Sequence, residues 1–91
     1  MDAEQRAITF TGQVQGVGFR YTTCRIASRF DVTGYVKNLP DGRFECVVEG
    51  RPAEIDAFLD EIGAAYEGYI RERDDRTDAP SGRFAGFDVR Y

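Results

Sequence analysis

Residues 12–20 read GQVQGVGFR, and this stretch determines how the first half of the chain is organised. It follows the alternating, β-rich segment Ala7–Gly12 and precedes a segment in which apolar residues recur at helical spacing. We therefore predict a strand, a glycine-containing turn and a helix in direct succession. The N–H groups at such a helix start lack intrahelical acceptors, so they can converge on an anion. Arg20 adds a guanidinium whose planar set of donors suits a phosphate.

The remaining segments continue the alternation of strands and helices. Helical spacing extends from residue 19 to residue 30 and recurs after Pro52, where Gly63 is the expected end of the second helix. The apolar stripe of that second helix consists of Ile55, Phe58, Leu59 and Ile62. Further strands are predicted over Thr33–Lys37, Arg43–Glu49 and Tyr66–Arg71, and a last short strand is predicted from Phe84, Phe87, Val89 and Tyr91. The polar segment 71–82 is expected to extend the fourth strand in part and otherwise to form a solvated loop.

The predicted order is β-α-β-β-α-β followed by a short terminal strand. Because each helix has one apolar face, both helices can cover the same side of an antiparallel sheet. The sequence thus predicts an α+β fold, a ferredoxin-like split β-α-β sandwich with two helices on one face. The length of 91 residues predicts a single domain over residues 1–91, with its core over about residues 5–91.

The composition disfavours nucleic acid and membranes as partners. Twelve basic and sixteen acidic residues give a net charge of −4, which disfavours non-specific binding of nucleic acid. No apolar run approaches the length of a membrane span, so no membrane partner is expected. The first residues lack the basic and apolar blocks of a signal peptide, and a cytoplasmic location is the default expectation.

The residue types present also limit the chemistry. The chain has no histidine, which rules out an imidazole base, a Ser–His or Cys–His pair and an HExxH zinc site. Its two cysteines, Cys24 and Cys46, are predicted to be small buried side chains, without a disulfide or a metal. We therefore expect no metal and no cofactor, and any catalysis must rely on arginine, amide, carboxylate or backbone groups.

Asn38 is the second candidate site residue, because it stands where a predicted strand meets the turn 38–42. In a compact split β-α-β sheet this residue can lie near the turn that precedes Arg20. An amide side chain offers both a donor and an acceptor, so beside a bound phosphate it can hold one water molecule. The plainer alternatives are that Asn38 serves only the backbone of its turn, that the glycines form a turn that binds nothing, and that Arg20 is a surface residue. For Tyr21, Thr22 and Thr23, helix packing is the favoured role over lining the pocket.

Two motifs at a defined spacing resemble a known family. The stretch GQVQGVGFR at 12–20, the stretch GYVKNLPDG at 34–42 and the following Gly50 closely resemble the two signatures of the acylphosphatases. The resemblance covers nearly the whole chain in length and element order, and it is strongest from Gly12 to Gly50. Two features depart from the family pattern: Phe44 replaces a smaller aliphatic residue, and segment 63–70 lacks the usual Gly-Pro and Val-rich strand.

The resemblance implies a small cytoplasmic monomer that hydrolyses the carboxyl–phosphate bond of acyl phosphates without a metal or a covalent intermediate. It implies that Arg20 is catalytic and that Asn38 orients the attacking water. By the same similarity, the phosphate is held by the backbone amides of Gln15, Gly16, Val17, Gly18 and Phe19. The implied partners are a small acyl phosphate as substrate and inorganic phosphate as product and competitor.

Two alternatives to this enzyme remain. One is a non-catalytic phosphate- or anion-binding regulatory module of the same fold, because one fold hosts many functions. The other is the similar domain of larger maturation proteins that handle carbamoyl phosphate, which the absence of further domains disfavours. Asn38 distinguishes the enzyme from the binding module, since a pure phosphate binder has no use for an amide that holds water.

Overall fold

The computed structural model describes residues 3–13 and 18–90. The described residues form an α+β fold with one five-stranded sheet and two helices. The elements in chain order are β1 (Glu4–Gly12), α1 (Phe19–Ala27), β2 (Val32–Asn38), β3 (Phe44–Gly50), α2 (Pro52–Ala65), β4 (Ile70–Asp78) and β5 (Phe87–Arg90). Neither of these helices is long and apolar enough to cross a membrane.

The strand order in the sheet is β4-β1-β3-β2-β5. β1 pairs with β3 and β4, and β2 pairs with β3, all in antiparallel orientation. The first four strands therefore have the 4-1-3-2 order of the ferredoxin-like arrangement, and β5 is added at the free edge of β2.

The expectation of a wholly antiparallel sheet is wrong at β5, which pairs with β2 in parallel. β4 ends beside the first residues of β1, at the edge of the sheet where β2 begins. The connection 79–86 crosses near this same edge, where Ser81 and Gly82 bond to the carboxylate of Glu49. A strand that starts here and runs alongside β2 must have the direction of β2.

Alternate residues of the strands build the core on one face of the sheet. The core includes Ile8, Phe10, Phe44, Cys46 and Val48, together with the buried stripes of both helices. In α2 the stripe consists of Ile55, Phe58, Leu59 and Ile62, as the sequence predicts. In α1 the buried residues are Phe19, Thr23, Ile26 and Ala27, which confirms the packing role expected for Thr23.

Both helix ends differ from the sequence-based expectation. α1 ends at Ala27 because Ser28 bonds back to the last turn, with its hydroxyl donating to the carbonyl of Arg25 over 2.6 Å. Phe30 packs against the core from the turn that follows, and for this reason the helical spacing of apolar residues extends to residue 30. α2 does not stop at Gly63 but continues to Ala65, where Tyr66 caps it by donating its N–H to Ile62.

The fourth strand covers Ile70–Asp78 rather than Tyr66–Arg71, and residues 66–69 form a turn. Residues 71–78 are all exposed, so β4 has no apolar alternation that could reveal it. It is held by its backbone ladder to β1. Its charges also pair along the strand, Arg73 with Asp75 and Arg76 with Asp78. Such charges are usual on an edge strand, where they oppose pairing with other chains.

Candidate functional site

Four strand ends meet at one edge of the sheet. β1 and β2 both run antiparallel to β3, so their last residues lie at the same edge, beside the first residue of β3. The first residues of β4 lie there too, since Ile70 pairs with Gly12. The segment that joins β1 to α1 therefore leaves the sheet at the edge where β2 ends in Asn38.

Asn38 is the last residue of β2 and pairs with Phe44 of β3. Phe44 in turn pairs with Phe10 of β1, so the three residues form one row across the sheet on its core face. The side chain of Asn38 is half-buried, but its amide oxygen Oδ1 is buried and has no hydrogen-bond partner in the described part of the chain. A buried acceptor left unpaired costs about 1–3 kcal/mol and therefore calls for an explanation.

The turn after Asn38 is rigidly bonded. The N–H of Leu39 donates to the carbonyl of Arg43 over 2.8 Å, and that of Gly42 donates to Leu39 over 3.1 Å. The carboxylate of Asp41 accepts from the backbone N–H of Arg43, and this bond together with the Arg43 guanidinium lowers the pKa of Asp41. Asp41 thus serves the turn, as expected from the sequence, and fixes the chain where it follows Asn38.

The start of α1 offers uncapped donors. Gly18 is its N-cap residue at φ 72°, in the left-handed region that glycine adopts without steric cost. No side chain caps this end, and the first turn contains no acidic residue. Among the described residues no side chain caps the first N–H groups of α1, at the end where the helix dipole favours negative charge. Arg20 is the second residue of the helix and is half-buried.

Phe19 links the start of α1 to the row that contains Asn38. Its ring packs against that of Phe44 with 4.2 Å between centroids, and it lies 5.6 Å from the ring of Phe10. Phe44, one of the departures from the family pattern, is thus the direct neighbour of both Phe19 and Asn38. Of the sequence-predicted amides, those of Gln15, Gly16 and Val17 lie outside the described residues.

A second group of residues, which the sequence does not predict, lies at this edge. The N–H of Gln13 donates to the carbonyl of Tyr69 over 2.9 Å, and the rings of Tyr66 and Phe19 pack at a tilt with 4.4 Å between centroids. The turn 66–69 is therefore attached to both ends of the segment that joins β1 to α1. A pocket of about 160 Å³ opens here, lined by Gln13, Gly68, Tyr69 and Arg71. The two tyrosines around Gly68 are a possible signal, but the sequence predicts a strand for this segment.

The described residues contain no group of three or more Cys, Asp or Glu side chains placed to hold a metal ion. Both cysteines are free. Cys46 is fully buried as expected, and burial raises the pKa of its thiol far above the usual range. Cys24 is only half-buried, and partial burial together with the charge of Asp88 raises its pKa as well.

Known proteins match the chain along almost its whole length. The family model of the acylphosphatases matches residues 6–89. An acylphosphatase of Lactobacillus gasseri is 40% identical over 83 residues, which cover 89% of this chain and 91% of that protein. One of Pediococcus pentosaceus is 51% identical over 55 residues, a match that spans 60% of this chain and only 61% of that protein.

A solved structure agrees with the fold described above. The crystal structure of an acylphosphatase from Bacillus subtilis superimposes with a TM-score of 0.89 at 28% sequence identity. The superposition covers 97% of this chain and 99% of that chain.

Proposed function

We propose that this chain, which belongs to the acylphosphatase family, hydrolyses acyl phosphates to a carboxylate and inorganic phosphate. The observation that carries the proposal is the buried Oδ1 of Asn38, which has no hydrogen-bond partner among the described residues. It lies at the end of β2, at the edge of the sheet where β1 ends and leads into α1. Two relatives matched over more than nine tenths of their length carry the same family name, which supports the reaction class.

In this proposal the phosphate is bound at the start of α1. The guanidinium of Arg20 and the backbone amides of Gln15 to Phe19 surround its oxygens. Support comes from the uncapped helix start and from Gly18, whose left-handed conformation begins the helix without a side chain in the way. Phosphate binding by a helix N-terminus and an arginine fork is a common physical solution.

Asn38 holds the attacking water in the proposed reaction. Its Oδ1 accepts a hydrogen bond from the water, which directs the water's lone pair toward phosphorus. The row Phe10–Phe44–Asn38 and the contact of Phe44 with Phe19 support this role, because they connect Asn38 to the start of α1 through one buried ring. The contribution is positional, so no titrating base is needed.

The chemistry requires little more than position and charge. The water oxygen forms a bond to phosphorus while the bond from phosphorus to the acyl oxygen breaks, and the electron pair stays on the departing carboxylate. The proton of the water passes to a phosphate oxygen of the substrate. A carboxylate is a good leaving group, so a strong general acid is unnecessary, and Arg20 and the amides stabilise the charge on the equatorial oxygens.

The proposal also covers the placement of the helices, the oligomeric state and the cellular location. We place both helices on one face of the sheet, supported by a single core that contains the buried residues of both helices and of β1, β2 and β3. The protein acts as a single-domain monomer in the cytoplasm, without nucleic acid or membrane partners, a view that its net charge of −4 supports as far as nucleic acid is concerned.

The test is hydrolysis of benzoyl phosphate and acetyl phosphate by the purified chain, with inorganic phosphate as competitor. Arg20→Lys should lower kcat/KM on the order of 10²-fold and weaken inhibition by phosphate, because a point charge does not replace a planar fork. Arg25→Lys, an exposed change in the last turn of the same helix, is the matched control and should have no effect. Phosphate binding without turnover would instead indicate a non-catalytic binding module.

A further inference from the structure

We infer that the pocket lined by Gln13, Gly68, Tyr69 and Arg71 receives the acyl group of the substrate, and that Arg71 faces the carboxylate as it leaves. This inference rests on the proposed function. It assigns roles to residues in and beside the segment that departs from the family pattern, and it names the part of the substrate that they contact.

The pocket is anchored to the phosphate-binding segment at both ends. The hydrogen bond from Gln13 to Tyr69 joins it to the end of β1. The ring contacts from Phe19 to Tyr66 and from Tyr66 to Tyr69 join it to the start of α1, with 4.4 Å and 6.0 Å between successive ring centroids. A phosphate held between these two ends therefore lies directly beside the pocket.

The strand order gives the direction in which the acyl group must point. In phosphoryl transfer the attacking and leaving oxygens lie roughly in line on opposite sides of phosphorus. Asn38 ends β2, which lies on one side of β1 beyond β3, whereas β4 borders β1 on the other side. A water held by Asn38 thus attacks from the β2 side, and the carboxylate leaves toward β4, where the pocket opens.

Arg71 occupies a special position in β4. Thr11 pairs with Glu72 and Gly12 pairs with Ile70, so Arg71 is the extra residue of a β-bulge. Bulges redirect a side chain and are common beside active sites. Its neighbours Arg73 and Arg76 each pair with an aspartate two residues on, while Arg71 forms no ion pair among the residues described. Its charge is therefore available to a carboxylate.

The size of the pocket indicates the class of acyl group. Its volume of about 160 Å³ is close to the roughly 150 Å³ cavity that accommodates a benzene ring. Tyr69 is 44% exposed and lines the pocket with an aromatic side chain. We therefore assign acyl groups up to the size of benzoyl to this pocket. As the bond to phosphorus breaks, the carboxylate gains a negative charge, which the guanidinium of Arg71 stabilises.

The test is a series of ring-substituted benzoyl phosphates whose parent acids differ in pKa. Arg71→Gln should lower kcat/KM about tenfold, the scale of one charge-assisted hydrogen bond. The decrease in kcat/KM should be larger for poorer leaving groups, so that kcat/KM depends more steeply on the pKa of the leaving group. Inhibition by inorganic phosphate, which has no acyl group, should stay unchanged. Arg76→Gln, on the same strand but paired with Asp78, is the matched control.

Tyr69 provides an independent arm of the test. Tyr69→Ala should raise KM for benzoyl phosphate several-fold more than for acetyl phosphate, and Tyr69→Phe, which keeps the ring, should show a much smaller difference between the two substrates. An active enzyme in which Arg71→Gln behaves like Arg76→Gln would overturn the inference alone. A chain that hydrolyses none of these substrates would overturn the proposed function and this inference with it.

Discussion

At the scale of single residues, two buried oxygens lack hydrogen-bond partners in the described ranges, and they call for different explanations. Oδ1 of Asn38 lies at the candidate site, where a water or a substrate supplies the missing donor. Oγ1 of Thr23 lies one turn beyond Phe19 on the buried face of α1, and the side chain is fully buried in the core. The oxygen of Asn38 therefore has a role in the proposed reaction, whereas the oxygen of Thr23 has no such role and only lowers the stability of the fold.

Replacing Thr23 with valine should therefore stabilise the fold by about 1 kcal/mol, because valine keeps the shape and removes the unpaired hydroxyl. Urea denaturation of both chains measures the change. Thr22→Val, at a half-buried position of the same turn, is the comparison for any effect of valine on the helix itself. A clear loss of stability in Thr23→Val alone would show that the hydroxyl has a partner in solution.

At the scale of elements, two glycines illustrate opposite requirements. Gly12 has φ 147°, and a Cβ at this position would lie 2.1 Å from the carbonyl oxygen of Tyr69. That carbonyl is the acceptor for Gln13, so a side chain at residue 12 would displace the turn from the end of β1. Gly63 lies on the exposed side of α2, and a Cβ there would meet nothing within 4 Å.

Gly12→Ala should consequently destabilise the chain by about 2 kcal/mol or more and should also reduce hydrolysis. Gly63→Ala should stabilise it by about 0.5–1 kcal/mol, because alanine favours the helix interior. Thermal unfolding of the two variants side by side checks both signs. Equal effects from the two substitutions would contradict this account of the β1–β4 junction.

The connection 79–86 is held by a buried carboxylate. Glu49 is 6% exposed, and burial alone would raise its pKa. Its oxygens accept bonds from the N–H and hydroxyl of Ser81, the N–H of Gly82 and the amide of Gln5, at 2.6–3.0 Å. These donors prevail over desolvation and lower the pKa of Glu49 from 4.5 to about 2.

Because the folded pKa lies below the unfolded one, the stabilisation from Glu49 is complete above pH about 4.5 and is lost as the pH falls toward 2. A shift of this size corresponds to roughly 3 kcal/mol. Glu49→Gln should lower stability at pH 7 and flatten its dependence on pH between 4.5 and 2. Glu67→Gln, at an exposed turn position, should leave that dependence intact, as measured by denaturation across this range.

The sequence predicted those elements whose residues alternate between core and solvent. The stripe of α2 and the strands β1 and β2 follow from periodicity, because each buries one face. β3 is buried at four consecutive residues, 46–49, and its place follows from the turn that joins it to β2. The sequence predicts β4 with the wrong bounds, Tyr66–Arg71 and a partial extension beyond them. The strand is exposed along residues 71–78, and its place depends on a backbone ladder that leaves no pattern in side chains. The parallel pairing of β5 depends on where the connection 79–86 crosses the sheet, which residue spacing does not encode.

At the scale of the whole molecule, the candidate site depends on contacts between distant parts of the chain. Gly18, Phe19, Arg20 and Asn38 could be proposed from two motifs, because glycine, arginine and asparagine at those spacings indicate phosphate chemistry. Their relation through Phe44 is a property of the folded sheet. The role inferred for Tyr69 and Arg71 depends on the turn 66–69 and the bulge in β4, and no local sequence pattern predicts either of them.

The most direct measurement compares Asn38→Ala with the unmodified chain in two assays, hydrolysis of benzoyl phosphate and inhibition by inorganic phosphate. We expect kcat to fall on the order of 10²–10³-fold while the affinity for inorganic phosphate stays the same, because the amide holds the water and not the phosphate. A fully active Asn38→Ala variant, or one that loses phosphate binding together with turnover, would contradict this expectation.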